Sequence, residues 1–172
     1  MRELPTRKPN RLAGYDYSQN GAYFITICAK DREQIFGRIT TDGVGANCVR
    51  PCVRQSETGN IVLSEIERLN VAYPSVNIDC FVVMPNHVHM IIVIDKNGGI
   101  NKNDGRTQFA PTISRIIKQW KGAISKQIGF SPWQKSFHDH IIRNEQEYIK
   151  IAEYIENNPK RWADDCFYGG EL

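Results

Sequence analysis

A chain of 172 residues has room for one domain with a buried core, and 41% hydrophobic with 24% charged residues is the make-up of an ordinary globular protein. No apolar run reaches the ~20 residues of a membrane span and the N-terminus lacks a signal peptide's apolar stretch, so cytoplasmic residence is expected and a membrane partner is not. The net charge of +3 permits a nucleic-acid partner without demanding one.

Residues 1–20 form a polar arm ahead of a single domain, 21–172. Arg2, Arg7, Lys8 and Arg11 are opposed there only by Glu3 before Tyr15, so the arm can grip phosphates. Ala22–Ala29 is aromatic and β-branched, hence a buried strand. Ile35–Ile39 follows as a second strand. Thr40–Gln55 is a glycine-containing excursion, compatible with a hairpin. A helix begins near Ser56–Asn60 and runs to Ala72, with Val62, Ile66 and Leu69 as its apolar stripe. Ile78–Val83 and His87–Ile94 are strands separated by the turn Met84-Pro85-Asn86, since proline is poorly tolerated inside a central strand. Beyond the polar loop Asp95–Gln108, Pro111 opens a helix in its first turn. Ile113, Ile116, Ile117, Trp120 and Ile124 make one face of it, and Gly129 ends it. Phe137–Arg143 is a last strand and Glu145–Asn157 a last helix, stopped by Pro159. The order predicts an α+β domain, a mostly antiparallel sheet with helices packed largely on one face.

The cysteines (Cys28, Cys48, Cys52, Cys80, Cys166) are five, an odd number without framework spacing. Cys28 and Cys80 read as core thiols, and no second pair completes a zinc site for Cys48 and Cys52. His87-Val88-His89 at a strand start carries more chemistry. Side chains alternate along a strand, so the two imidazoles share a face. There they can meet one cation and leave positions open for phosphate oxygens. Histidines at a strand end are also often only solvated or hydrogen-bonded. In the final helix Tyr154 and Asn158 are four apart and project from one face. A phenolate can attack phosphorus, and an amide oxygen can complete a metal site. The plainer reading is that Tyr154 packs and Asn158 stops the helix. Lys118 and Lys121, with Trp120 and Trp133, can line a DNA path, because aromatics stack on bases; Trp120 nonetheless lies on the apolar helix face. His138 and His140 repeat the alternate spacing, and a supporting role is expected for them.

Several stretches stand together in order: Arg7-Lys-Pro-Asn-Arg-Leu12, Tyr15-Asp-Tyr17, Gly21-Ala-Tyr-Phe-Ile-Thr-Ile-Cys28, Phe81-Val-Val-Met-Pro-Asn-His-Val-His-Met90, Asp139-His-Ile-Ile-Arg-Asn144 and Tyr154-Ile-Glu-Asn-Asn-Pro159. In these the chain resembles the single-tyrosine HUH transposases, in particular the branch associated with repetitive extragenic palindromes. The loop Asp42–Arg54 is the part that resembles them least.

The resemblance implies a ferredoxin-like HUH fold in which His87, His89 and Asn158 bind Mg²⁺ or Mn²⁺ and Tyr154 is the nucleophile. Asn158 would stand where many relatives carry glutamine. It implies cleavage and rejoining of single-stranded DNA near hairpins through a 5′-phosphotyrosine, by a monomer or homodimer. Arg7, Lys8 and Arg11 would hold DNA beside the hairpin. Two other classes compete: a nucleic-acid-binding protein of the same fold without cleavage, and a zinc hydrolase using His87, His89, His138 and His140.

Overall fold

The computed structural model describes residues 14–41, 51–96 and 111–167. In chain order these form β1 (Gly21–Cys28), β2 (Gly37–Thr40), β3 (Cys52–Gln55), α1 (Glu57–Ala72), β4 (Val76–Val83), β5 (His87–Ile94), α2 (Ile113–Ile128), β6 (His138–Ile142) and α3 (Glu145–Asn157). Four strands make one sheet in the order β4-β5-β1-β6, every neighbouring pair antiparallel, while β2 and β3 form a separate hairpin. Strand β5 lies between β1 and β4, and β1 between β5 and β6. The two β-α-β units are therefore each split by a strand of the other, the ferredoxin-like arrangement.

Alternation along the strands sorts residues onto two faces. Tyr23, Ile25 and Ile27 of β1 and Val88, Met90, Ile92 and Ile94 of β5 face α1 and α2. They join Val62, Ile66, Leu69, Ile113, Ile116, Ile117, Trp120 and Ile124 in one core. Each aliphatic side chain buried there contributes about 1.5–3 kcal/mol over its exposed state. The other face carries Phe24 and Thr26 of β1 and His87, His89 and Ile91 of β5. Helix α3 crosses this second face, its Tyr154 ring meeting those of Phe24 and His89. Two helices thus cover one face and the third lies on the other.

Side-chain caps fix where the helices begin. Ser56 accepts from the Gly59 amide at 3.0 Å, Thr112 from Arg115 at 3.3 Å and Asn144 from Glu147 at 2.8 Å; such a cap contributes about 0.5–2 kcal/mol. Pro111 therefore precedes the cap of α2 instead of lying in its first turn. Gly129 closes α2 at φ 83°, where its lack of a Cβ removes the steric cost. Gly59 has a different reason: a Cβ there would lie 1.9 Å from the Phe36 carbonyl oxygen.

Some boundaries differ from the sequence expectation. Strand β4 starts at Val76, two residues early, because Val76 pairs with Ile94 and the strand tolerates a register shift between Ile78 and Cys80. The 40–55 excursion supplies β3, the return strand of the hairpin. Two residues of the expected arm lie against the domain. Tyr15 and Tyr17 pack on Tyr23 with ring centroids 6.4 and 6.1 Å away, and Tyr17 carbonyl accepts from the Ile113 amide. Arg7, Lys8, Arg11 and Cys48 lie outside the described residues. No helix among the described residues is long and apolar enough to cross a membrane.

Candidate active site

The turn between β4 and β5 is held by its backbone. Met84 amide donates to His87 carbonyl at 2.8 Å, Phe36 amide to Pro85 carbonyl at 2.9 Å and Ala29 amide to Asn86 carbonyl at 2.8 Å. Proline has no N–H to lose here, and its carbonyl is still used. The turn is buried, so the position where β5 begins is fixed.

Register then sets the histidines. Cys28 pairs with His87 and Thr26 with His89, and the two imidazole centroids are 4.4 Å apart. Asn86 donates both its amide protons, to the carbonyls of Arg32 (3.2 Å) and Phe167 (2.8 Å). Its oxygen must therefore accept, and it lies 2.9 Å from Nδ1 of His87. The proton of His87 is thereby held on Nδ1 and the Nε2 lone pair left free. Nδ1 of His89 stands 2.8 Å from the Thr26 hydroxyl, which can donate or accept and so holds the ring without choosing its tautomer. Such partners orient a ligating imidazole. Burial pushes the His87 pKa down to about 4 and that of His89 well below the usual histidine range, the latter helped by neighbouring His87. Both rings are neutral at pH 7, as a metal ligand must be.

Helix α3 brings in the remaining groups. Tyr154 is partly exposed, and its hydroxyl lies 3.3 Å from Nε2 of His89. Burial raises its pKa first and the Asp165 carboxylate second, while the amide of Asn158 pulls the other way. Tyr148, the other tyrosine of the helix, is tied to Asp79 on β4 through its hydroxyl. After Asn157 the chain tightens into a 3₁₀ turn, Asn158–Asp164, with Pro159 near its start. Asn158 is buried; its Nδ2 donates to Asp165 at 3.1 Å. The ring nitrogens of His87 and His89 and a carboxylate oxygen of Asp165 all lie within 4.8 Å of one another.

Two buried atoms of these residues, Nε2 of His87 and Oδ1 of Asn158, have no hydrogen-bond partner in the protein. Buried polar atoms are rarely left so, and each such pair of lone electrons calls for a missing donor or cation. A nitrogen and oxygen donor set of this kind fits a divalent ion.

Other expected residues fall elsewhere. Lys121 is not a free phosphate ligand: its ammonium donates to the carbonyls of Gln134 (2.8 Å) and Ser136 (3.0 Å), and burial pulls its pKa down to about 8. Lys118 is exposed on α2, across the sheet from the histidines. Trp120 and Trp133 are buried against each other in the core, so they line no DNA path. His138 and His140 pair with Thr26 and Phe24 across β1, on the face of the histidine pair but two strands from β5. His140 Nε2 is engaged by Glu147 at 2.7 Å, and neither residue joins the His87–His89–Asp165 group. A four-histidine zinc centre is therefore not formed. Sequence reasoning missed Thr26, Asn86 and Asp165. A lone threonine on the inner register of an apolar strand was a readable signal for the first; no spacing pointed to Asp165.

Comparison with known proteins bears on this arrangement. The family described as "Transposase IS200 like" matches residues 18–158. An uncharacterized protein of Haemophilus influenzae is 35% identical over 94% of this chain and 93% of its own. A second protein of that organism, described provisionally as a REP-associated tyrosine transposase, is 24% identical over 84% of this chain and 73% of its own. A solved structure of a REP-associated tyrosine transposase bound to a REP hairpin shares the fold, with TM-score 0.59 and 21% identity over 88% of this chain and 74% of that one. With the family pattern running from ahead of β1 to the asparagine beyond α3, the chain belongs to the IS200-like transposases, a family of DNA-cleaving enzymes.

Proposed function

We propose that this transposase cuts single-stranded DNA beside a hairpin by attack of Tyr154 on a phosphodiester, and rejoins strands by the reverse reaction. The observation that carries the reading is the His87–His89 pair, with the Nε2 of His87 buried and unpartnered and that of His89 3.3 Å from the Tyr154 hydroxyl. His87, His89 and Asn158 would hold Mg²⁺ or Mn²⁺, which when bound would supply Lewis-acid polarisation of the scissile phosphate.

The protein's own groups do the rest. Tyr154 forms a bond from its phenolic oxygen to phosphorus as the P–O3′ bond breaks; the phenolic proton is balanced by the one gained at the leaving 3′-oxygen. The products are a 5′-phosphotyrosine and a free 3′-hydroxyl. The phosphodiester energy is conserved in the new ester, so rejoining needs no ATP. Asn86 keeps His87 in the tautomer with Nε2 free, and Thr26 holds the ring of His89. Phe24, stacked on His89 at 5.2 Å and edge-on to Tyr154, limits where both rings can lie.

A hairpin substrate is supported by the fold shared with the transposase solved on a REP hairpin. Arg7, Lys8 and Arg11 of the N-terminal arm contact DNA beside the hairpin, and exposed Lys118 is a further phosphate contact far from the cut. The test is incubation with hairpin-bearing single-stranded DNA and Mn²⁺. A protein–DNA adduct that survives denaturation, and is absent from Tyr154→Phe, supports the reading. Cleavage undiminished in EDTA contradicts the metal role.

A further inference from the structure

Asp165 arrives at the site from a segment that lies beyond the tyrosine helix. The 3₁₀ turn Asn158–Asp164 reverses the chain, and the Asp165 amide donates to Trp162 carbonyl at 3.1 Å. The next residues are fastened over the histidines. Arg32 donates to Cys166 carbonyl at 3.1 Å, Asn86 donates to Phe167 carbonyl at 2.8 Å, and the Phe167 ring lies 4.7 Å from that of His87. Asp165 is thus delivered by a tethered strap and not by a free tail.

Its two oxygens have distinct tasks. Oδ1 accepts from the Phe167 amide at 2.7 Å, which holds the carboxylate in place. Oδ2 accepts from Nδ2 of Asn158 at 3.1 Å. An amide has a donor end and an acceptor end, so with Nδ2 committed to Asp165 the amide is held and its oxygen is kept as an acceptor. That oxygen is buried and without a partner. The carboxylate itself stands within 4.8 Å of the ring nitrogens of both histidines. Two imidazoles and an amide are neutral ligands. Beside a dication they leave the site short of negative charge.

We infer that Asp165 completes the cation site: it holds the Asn158 amide by its Nδ2, keeping the amide oxygen as an acceptor, and supplies the negative charge that the other ligands lack. The inference rests on reading His87, His89 and Asn158 as cation ligands. Within that reading Asp165 is a determinant of divalent-ion affinity, and it belongs to the strap and not to the tyrosine helix.

The test is calorimetric titration of Mn²⁺ into the full chain without DNA, with melting curves in EDTA for every variant. Wild type binds, His87→Ala does not, and Asp165→Asn binds at least about tenfold more weakly, in the range seen when a ligand's supporting partner is lost. Asp165→Glu keeps the charge and binds more tightly than Asp165→Ala; this pair decides the matter if Asp165→Asn does not fold. Mn²⁺ affinity of Asp165→Asn within twofold of wild type, or equal affinities for the Glu and Ala variants, overturns the role of Asp165. If His87→Ala still abolishes binding in that case, the cation site itself stands. No Mn²⁺ binding by wild type removes the site and Asp165's role together.

Discussion

Replacing Thr26 with valine isolates the support of a single histidine. The two side chains have nearly the same shape, both suit a strand, and residue 26 is only 5% exposed, so packing against neighbours is kept. What disappears is the hydroxyl 2.8 Å from Nδ1 of His89. A buried polar group left unpaired costs about 1–3 kcal/mol. At about 2–4 °C per kcal/mol for a chain of this size, melting should fall by roughly 2–12 °C. His89 also loses what holds its ring plane, for which about 10–100-fold in metal affinity or activity is expected. The assay is adduct formation on hairpin DNA across an Mn²⁺ series, beside thermal melts in EDTA. Thr26→Val should need more Mn²⁺ for half-maximal adduct, and Thr26→Ser should restore the wild-type curve. A Thr26→Val enzyme with an unchanged Mn²⁺ curve would refute the assigned role of that hydroxyl.

Lys121→Ala should lower the melting temperature by several degrees, since hydrogen bonds to a charged donor contribute about 1.5–3 kcal/mol, and should leave the salt dependence of DNA binding unchanged. Lys118→Ala should do the opposite, a flatter slope of affinity against salt with an unaltered melt. Gly59→Ala puts a Cβ 1.9 Å from the Phe36 carbonyl oxygen, so the start of α1 must move from the β2–β3 hairpin; about 1–3 kcal/mol of destabilisation is expected in denaturant melts. Deleting residues 1–12 should leave a cooperative melt and weaken hairpin binding with a flatter salt dependence, measured on matched and scrambled flanks; unchanged affinity and selectivity would make the arm a solvated tail.

Local periodicity made much of this molecule legible. His87 and His89 had to share a face once β5 was recognised, and Tyr154 with Asn158 had to share a helix flank. The stripes of α1 and α2 named their own core partners. What escaped was whatever depends on contacts between distant segments. Asp165 reaches the histidines through the 3₁₀ turn Asn158–Asp164, whose direction no sequence spacing gives. Placement of α3 on the second face is a matter of tertiary packing, which strand patterns do not encode. Lys121 has the sequence signature of a solvated lysine on a basic flank. Only the fold shows two carbonyls from the segment after α2 waiting for its ammonium. Tyr15 and Tyr17 were concealed by their polar neighbours, although stacking on Tyr23 makes them part of the domain.

The central claim is that Tyr154 and no other residue becomes joined to DNA. Wild-type protein should be incubated with hairpin-bearing single-stranded DNA and Mn²⁺, the adduct digested with protease and nuclease, and the modified peptide sequenced by tandem mass spectrometry. The account predicts a 5′-phosphonucleotide on Tyr154, with Tyr148 unmodified. A nucleotide on Tyr148, or DNA cut to free 5′-phosphate ends with no protein adduct at any time, would contradict it.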